Sequence, residues 1–325
     1  MHASIFFTIL SIVMQSYTYA TKCNGFEELC DLNIMQVTLA GTHNSGAGFD
    51  SHLNYHSFLG KIKAVSCWYR NQDKSFYGQL DLGIRYFDID SCLEDYYDPK
   101  GAWICHADAY AGSIKKMISQ IDRWMNEDGH EEEVIVIHFN RDFASEDSDK
   151  TAKDIIRQLE GTWIHSDSSK VAIQPSKYAK LGSAVNQNKR IYIIMHNDLL
   201  KHNHKNWAIP HWKVGYTWTS MTFINSNGCH NLVKSMGKDR CTREASRNFV
   251  RYDLYLSSGL CTWDMASHCN QHIQEGLNRC FSGTKTKHKT VNFIVVDYAD
   301  KRVIEGARKQ NIKNIKMYLG KDVTK

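Results

Sequence analysis

Short, unbroken aliphatic runs recur along the chain, and each one ends in a polar residue of catalytic type. Val134-Ile-Val-Ile137 leads into His138 and Asn140, Phe293-Ile-Val-Val296 leads into Asp297, and Ile84 to Cys92 carries Asp88 and Asp90. A strand that is apolar on both faces has to be covered on both faces, which is the position of a parallel strand beneath helices. Strands are predicted over 36–43, 84–92, 102–106, 133–140, 190–197, 213–218 and 291–298. Helical spacing lies between several of them. Ile114, Met117, Ile118, Ile121, Trp124 and Met125 fall on one face of a helix over 114–126, and 149–159 and 301–310 read similarly. Strands alternating with helices specify parallel pairing. Polar residues at successive strand ends, with no Gly-x-Gly-x-x-Gly after the first strand, favour a closed barrel over an open sheet. The 325 residues accommodate the about 250 that such a barrel needs. The expected fold is α/β: a single TIM-type (β/α) barrel over 21–325, irregular, with a disulfide-rich loop elaboration over 202–283.

The amino terminus reads as an export signal. Ile5 to Met14 is apolar but too short to span a bilayer, and Thr18-Tyr-Ala20 supplies small residues where a signal peptidase cuts. Residues 1–20 are therefore expected to be removed. All 10 cysteines follow Ala20, five of them between His202 and Gly283, and none forms a Cys-x-x-Cys pair. An even number in an exported chain points to disulfides and a secreted, extracellular protein. With 42% hydrophobic and 23% charged residues the chain is neither disordered nor a membrane bundle. A net charge of +5 suits an anionic lipid surface as well as ordinary solubility. No nucleic-acid partner and no transmembrane segment are expected, and the protein is expected to be a monomer.

On a parallel barrel the carboxyl ends of the strands converge on one mouth. His43, Asn44, Asp88, Asp90, His106, Asn140 and Asp297 all occupy such ends. Strand periodicity puts Asp88 and Asp90 on one face and Arg85 on the other. Two adjacent carboxylates repel unless a positive charge lies between them. With the amide oxygen of Asn44 they offer the oxygen ligands that calcium prefers. Singly, Asp90 reads better as a turn cap and Asp88 as the partner of a surface lysine; jointly with the two strand-end histidines they read as a site. Two histidines in one mouth can serve as base and acid near neutral pH. His138, inside an apolar strand, is expected to satisfy a backbone carbonyl. His196, His202, His204 and His211 near Trp207 and Trp212 match no zinc spacing and read as a solvated loop. His268 and His272 lack the Glu of a zinc protease.

Gly41-Thr-His-Asn-Ser-Gly46, Gly83-Ile-Arg-Tyr-Phe-Asp-Ile-Asp90, the strand end at His106 and Val295-Val-Asp-Tyr298 resemble the X-domain family of phosphatidylinositol-specific phospholipases C. The likeness is clearest over 21–145 and resumes at the last strand. It implies a phosphodiesterase acting on phosphatidylinositol or a related lipid or glycan-linked anchor at a membrane surface. His43 would be the general base, His106 would assist the leaving group, and Asp297 would orient His43. Metal-independent bacterial members carry Asp after the first His and Arg where Asp90 stands; calcium-dependent members carry Asn and an acidic pair. Asn44, Asp88 and Asp90 match the calcium-dependent type, with Asn140 where those members have a fourth-strand carboxylate. The resemblance thus implies one calcium ion on Asn44, Asp88, Asp90 and Asn140. Two other readings remain at this stage: a glycerophosphodiesterase or sphingomyelinase D type barrel, and a secreted lipid-binding protein without turnover.

Overall fold

The computed structural model describes residues 22–47, 54–55, 67–94, 101–106, 109–141, 148–164, 179–201, 207–217, 228–235, 248–256, 261–281 and 289–323. The expected signal peptide, His202, His204, Trp218 and Cys241 lie outside them. The strands are β1 (Leu39–Thr42), β2 (Asn54–Tyr55), β3 (Tyr86–Glu94), β4 (Gly101–His106), β5 (Ala109–Ser113), β6 (Ile135–Arg141), β7 (Ile191–Met195), β8 (Ile209–Pro210), β9 (Val214–Tyr216), β10 (Phe249–Leu254) and β11 (Phe293–Val296).

Eight of these strands run parallel, in the order β8-β7-β6-β3-β1-β11-β10-β9. Among the described residues β8 and β9 do not pair, so the barrel is nearly closed with one seam. β2, β4 and β5 form an antiparallel extension attached to the outer half of β3, where Ser91–Glu94 pair with Gly101–Ile104. His106 therefore reaches the mouth on a strand that returns antiparallel, not on a parallel barrel strand as its sequence suggests.

The period of two separates lumen from outer layer. Leu39, Tyr86, Val136, Tyr192, Ile194, Phe249, Phe293 and Val295 share the inner cluster. Their neighbours Ala40, Phe87, Ile137, Ile193, Tyr252, Leu254, Ile294 and Val296 pack outward against helices. The same parity turns His43, Asp88, Asp90, His138, Asn140, Arg251, Asp253 and Asp297 inward. Gly41 is required by this layering, because a Cβ there would lie 2.7 Å from the Tyr86 ring.

Helix Ile114–Met125 buries the six apolar residues expected of it and is capped by Ser113, whose side chain accepts from the Lys116 N–H. Helix Lys301–Leu319 runs nine residues past its expected end at Gln310. Asn311 and Asn314 interrupt the apolar stripe, yet they are buried and spent on β1. Asn311 bonds the Thr38 N–H at 2.8 Å and the Thr38 carbonyl at 2.9 Å, and Asn314 donates to Thr38 Oγ1 at 3.0 Å. The strand that delivers His43 is thereby pinned at its start.

Segment 202–283 is more than elaboration. It contributes β8, β9 and β10 to the barrel. Disulfides Cys23–Cys30, Cys67–Cys261, Cys92–Cys105 and Cys229–Cys269 are formed, and Cys280 is also disulfide-bonded. No described helix is long and apolar enough to cross a membrane.

Candidate active site

The turn after β1 explains its own sequence. Asn44 adopts φ 42°, a left-handed conformation that Asn tolerates. Ser45 locks the turn to β3: its N–H donates to the Asp88 carbonyl and its Oγ accepts from the Asp88 N–H, both at 2.8 Å. Thr42 and Gln79 bond the same serine hydroxyl and carbonyl from the other side. At Gly46 a Cβ would meet Ile104 at 2.6 Å. Thr42, Ser45 and Gly46 are thus structural, and they hold His43 at the mouth.

His43 Nδ1 lies 2.9 Å from Asp297 Oδ1. A carboxylate only accepts, so Nδ1 carries the proton and Nε2 is left as the basic nitrogen. Burial lowers the pKa of His43, but the charge and hydrogen bond of Asp297 outweigh it and the net shift is upward. Asn71 donates to the same Asp297 oxygen at 2.9 Å, and Gln72 donates to the carbonyls of His43 and Val296 at 2.9 and 3.1 Å. Tyr255, just past β10, stacks on the His43 ring with centroids 3.7 Å apart and planes within 6°.

His106 stands edge-on to His43, ring centroids 6.3 Å apart. Its Nδ1 donates to the Tyr69 carbonyl at 2.9 Å, so Nε2 is the nitrogen available for proton exchange. Burial, opposed by the Tyr69 bond and reinforced by His43, lowers its pKa. The two imidazoles are pushed apart in basicity, in the sense that favours the proton on His43 over His106 before an anionic phosphate is bound.

The carboxylates are arranged differently from the sequence expectation. The positive charge beside Asp88 is Arg251, buried on β10, which meets Asp88 at 2.8 Å and also pairs with Asp253. Asn140 donates to the same Asp88 carboxylate. Asn44 is buried and its amide donates to Asn71 Oδ1 at 3.4 Å. Asp90 faces the mouth, half-buried, one register step beyond Asp88 and opposite Asn140. Asn44, Asp88, Asp90 and Asn140 thus share the mouth, but Asp88 is neutralised by a guanidinium and two amides point donors into the set. Arranged in this way the four residues would hold a calcium ion only if Asp88 gave up Arg251 and the amides of Asn44 and Asn140 turned their oxygens inward. Among the described residues, one group of metal-ligating type, His230, His272 and Glu275, has ligand atoms within 4.8 Å of one another. It lies on the outer helices and not at strand ends.

The rim beside His106 is a single unit. Cys67–Cys261 joins two segments 194 residues apart, and Thr262 donates to the carbonyls of Cys67 and Arg70. The unit carries Trp68 and Trp263, 53% and 54% exposed.

Residues 29–309 match the family model PI-PLC X 1. The chain belongs to the PI-PLC X family. The match reaches well past 145, as far as helix Lys301–Leu319. This PI-PLC X chain is 25% identical over 152 residues to a PI-PLC X-box domain-containing protein of Dictyostelium discoideum, covering 43% of this chain and 19% of that protein. It is 29% identical over 119 residues to PI-PLC X domain-containing protein 1 of Arthroderma benhamiae, covering 35% and 32%. The matched stretch thus spans a third or less of either relative. Its fold is shared with the phosphatidylinositol-specific phospholipase C of Listeria monocytogenes, with a TM-score of 0.58 at 15% identity over 86% of this chain and 94% of that one. The Staphylococcus aureus phosphatidylinositol-specific phospholipase C gives 0.55 at 17% over 85% and 94%.

Within this PI-PLC X barrel, sequence reading missed Asn71, Gln72, Arg251, Asp253 and Tyr255. For the last three a signal existed: Val250, Tyr252, Leu254 and Leu256 alternate with Arg251, Asp253 and Tyr255, which is a strand with a polar inner face. His138 also departs from expectation, since its partners are the Tyr86 hydroxyl at 2.6 Å and His211 at 2.9 Å, not a backbone carbonyl. His196 and His211 belong to the barrel end and not to a solvated loop: His196 caps helix Asn197–Leu200, and His211 follows β8.

Proposed function

We propose that the protein is a secreted phosphodiesterase of phospholipase C type, acting on phosphatidylinositol or a related inositol-phosphate lipid at a membrane surface. The observation that carries this reading is the pair of imidazoles across the barrel mouth, one bonded to a buried carboxylate and the other to a backbone carbonyl. His43 Nε2 takes the proton of the inositol 2-hydroxyl, whose oxygen attacks the phosphorus of the same molecule. Attack within one molecule removes much of the entropic barrier. The bond from phosphorus to the glycerol oxygen breaks, and His106, protonated when the anionic phosphate is bound, gives that oxygen its proton. The products are a cyclic inositol phosphate and diacylglycerol. Asp297 holds the tautomer of His43 and offsets the charge it acquires, and Asn71 holds Asp297. No step is assigned to a divalent cation.

Two tryptophans half-exposed beside the mouth suit docking at a bilayer interface, where the indole ring is favoured. The disulfides accord with export into an oxidising compartment. Phosphorus NMR of phosphatidylinositol vesicles incubated with the folded protein tests the reading. A cyclic phosphodiester resonance together with released diacylglycerol is expected. Unchanged lipid after prolonged incubation defeats it.

A further inference from the structure

Three polar atoms meet at the seam of the barrel, where β8 and β9 do not pair. His138 Nε2, from β6, lies 2.9 Å from His211 Nδ1, which belongs to the turn joining β8 to β9. Tyr216 Oη, from β9, lies 3.1 Å from the same His211 nitrogen and 3.3 Å from His138 Nε2. In a tetrahedral site with bonds of about 2.0–2.1 Å, ligand atoms lie about 3.3 Å apart. The triangle already has nearly those edges, so an ion seated just off its plane would bind all three atoms with little movement.

We propose that His138, His211 and Tyr216 form a site for a divalent transition metal, zinc by preference. Two imidazoles and a phenol select such an ion and not calcium, which takes hard oxygen ligands. The outer shell is present as well. His138 Nδ1 is 2.6 Å from the Tyr86 hydroxyl, which also accepts from Arg251 at 3.3 Å. That bond orients the ring so that Nε2 faces the triangle, as an outer-shell partner does for a ligating imidazole. His196 stands beside the cluster, its ring centroid 5.2 Å from that of His211.

The ion would tie β6 and β9 across the seam, so its first effect is on barrel stability, independent of the reaction proposed for His43. The test uses the full mature chain, stripped with EDTA and titrated with Zn2+ by calorimetry, with Co2+ absorption as a geometric readout. One zinc per chain with tetrahedral Co2+ bands and a raised melting temperature is expected. His211→Ala should abolish binding and Tyr216→Phe should weaken it. Tyr86→Phe, which removes the outer-shell partner, should cost about 10–100-fold in affinity. His272→Ala should bind as the wild type does, which separates this site from His230, His272 and Glu275. No zinc uptake by the wild type, or binding unchanged in both His211→Ala and Tyr216→Phe, leaves the triangle a hydrogen-bonded cluster and overturns the proposal. Loss confined to His272→Ala overturns it equally. If His211→Ala does not fold, Tyr216→Phe decides the matter.

Discussion

Replacing Asp297 by Asn keeps the size of the side chain and removes its charge. Oδ1 can still accept from His43 and Asn71, at present both at 2.9 Å. What is lost is the charge assistance. A hydrogen bond to a charged group contributes about 1.5–3 kcal/mol, and about 1.4 kcal/mol is tenfold in rate. Turnover should therefore fall about 10–150-fold, with little change in KM, because the stabilised species is the imidazolium formed as the hydroxyl is deprotonated. The pH dependence carries the sharper signature. Asp297 raises the pKa of His43, so the limb of the kcat/KM profile that reports His43 should move to lower pH in the variant. Stability follows the same sign. A histidine whose folded pKa is raised contributes stability that is fully present below its unfolded pKa and fades as pH rises through the folded value. Asp297→Asn should then destabilise the protein more at pH 5 than at pH 8. A pH-rate series on phosphatidylinositol vesicles and thermal melts at the two pH values measure both effects. An unchanged pH profile with turnover within twofold of wild type would refute the pairing as the source of His43 basicity.

His43→Ala should lower turnover about 10²–10⁴-fold while far-ultraviolet circular dichroism and the melting temperature stay close to wild type, since His43 lies at the mouth and not in the apolar layers. Arg251→Met should destabilise by about 3–5 kcal/mol, because Asp88 and Asp253 are left buried without their counter-charge; a denaturant melt showing no loss would mean that the two carboxylates are neutral or solvated. Activity should persist in excess EGTA, since Arg251 already occupies the position of the cation beside Asp88. Abolition by EGTA with recovery on adding Ca2+ would show that Asp88 exchanges Arg251 for the ion.

The barrel was legible because its strands are aliphatic on both faces, and the mouth because His43, His106 and Asp297 terminate such runs. β10 was obscured for the same physical reason in reverse. Its inner face carries Arg251 and Asp253, and a strand with charges facing the lumen loses the apolar signature by which the others were found. The state of Asp88 was beyond sequence reading altogether, because the arginine that neutralises it lies 163 residues away and no local pattern joins them. Electrostatics correctly required a positive charge among the carboxylates; only the topology could supply its identity. His106 shows a milder failure: a strand end is recognisable, but whether the strand runs with the barrel or back along β3 depends on pairing.

His43 follows β1, the first barrel strand in the chain, and Asp297 follows β11, the last, and these two strands lie side by side in parallel register. The hydrogen bond between His43 and Asp297 is therefore made across the junction of the first and last described barrel strands. A folding intermediate with six strands in place and this junction open has no oriented base. Under the proposed reaction, catalytic competence is in this sense a completion signal: His43 gains its orienting carboxylate only once the barrel is whole.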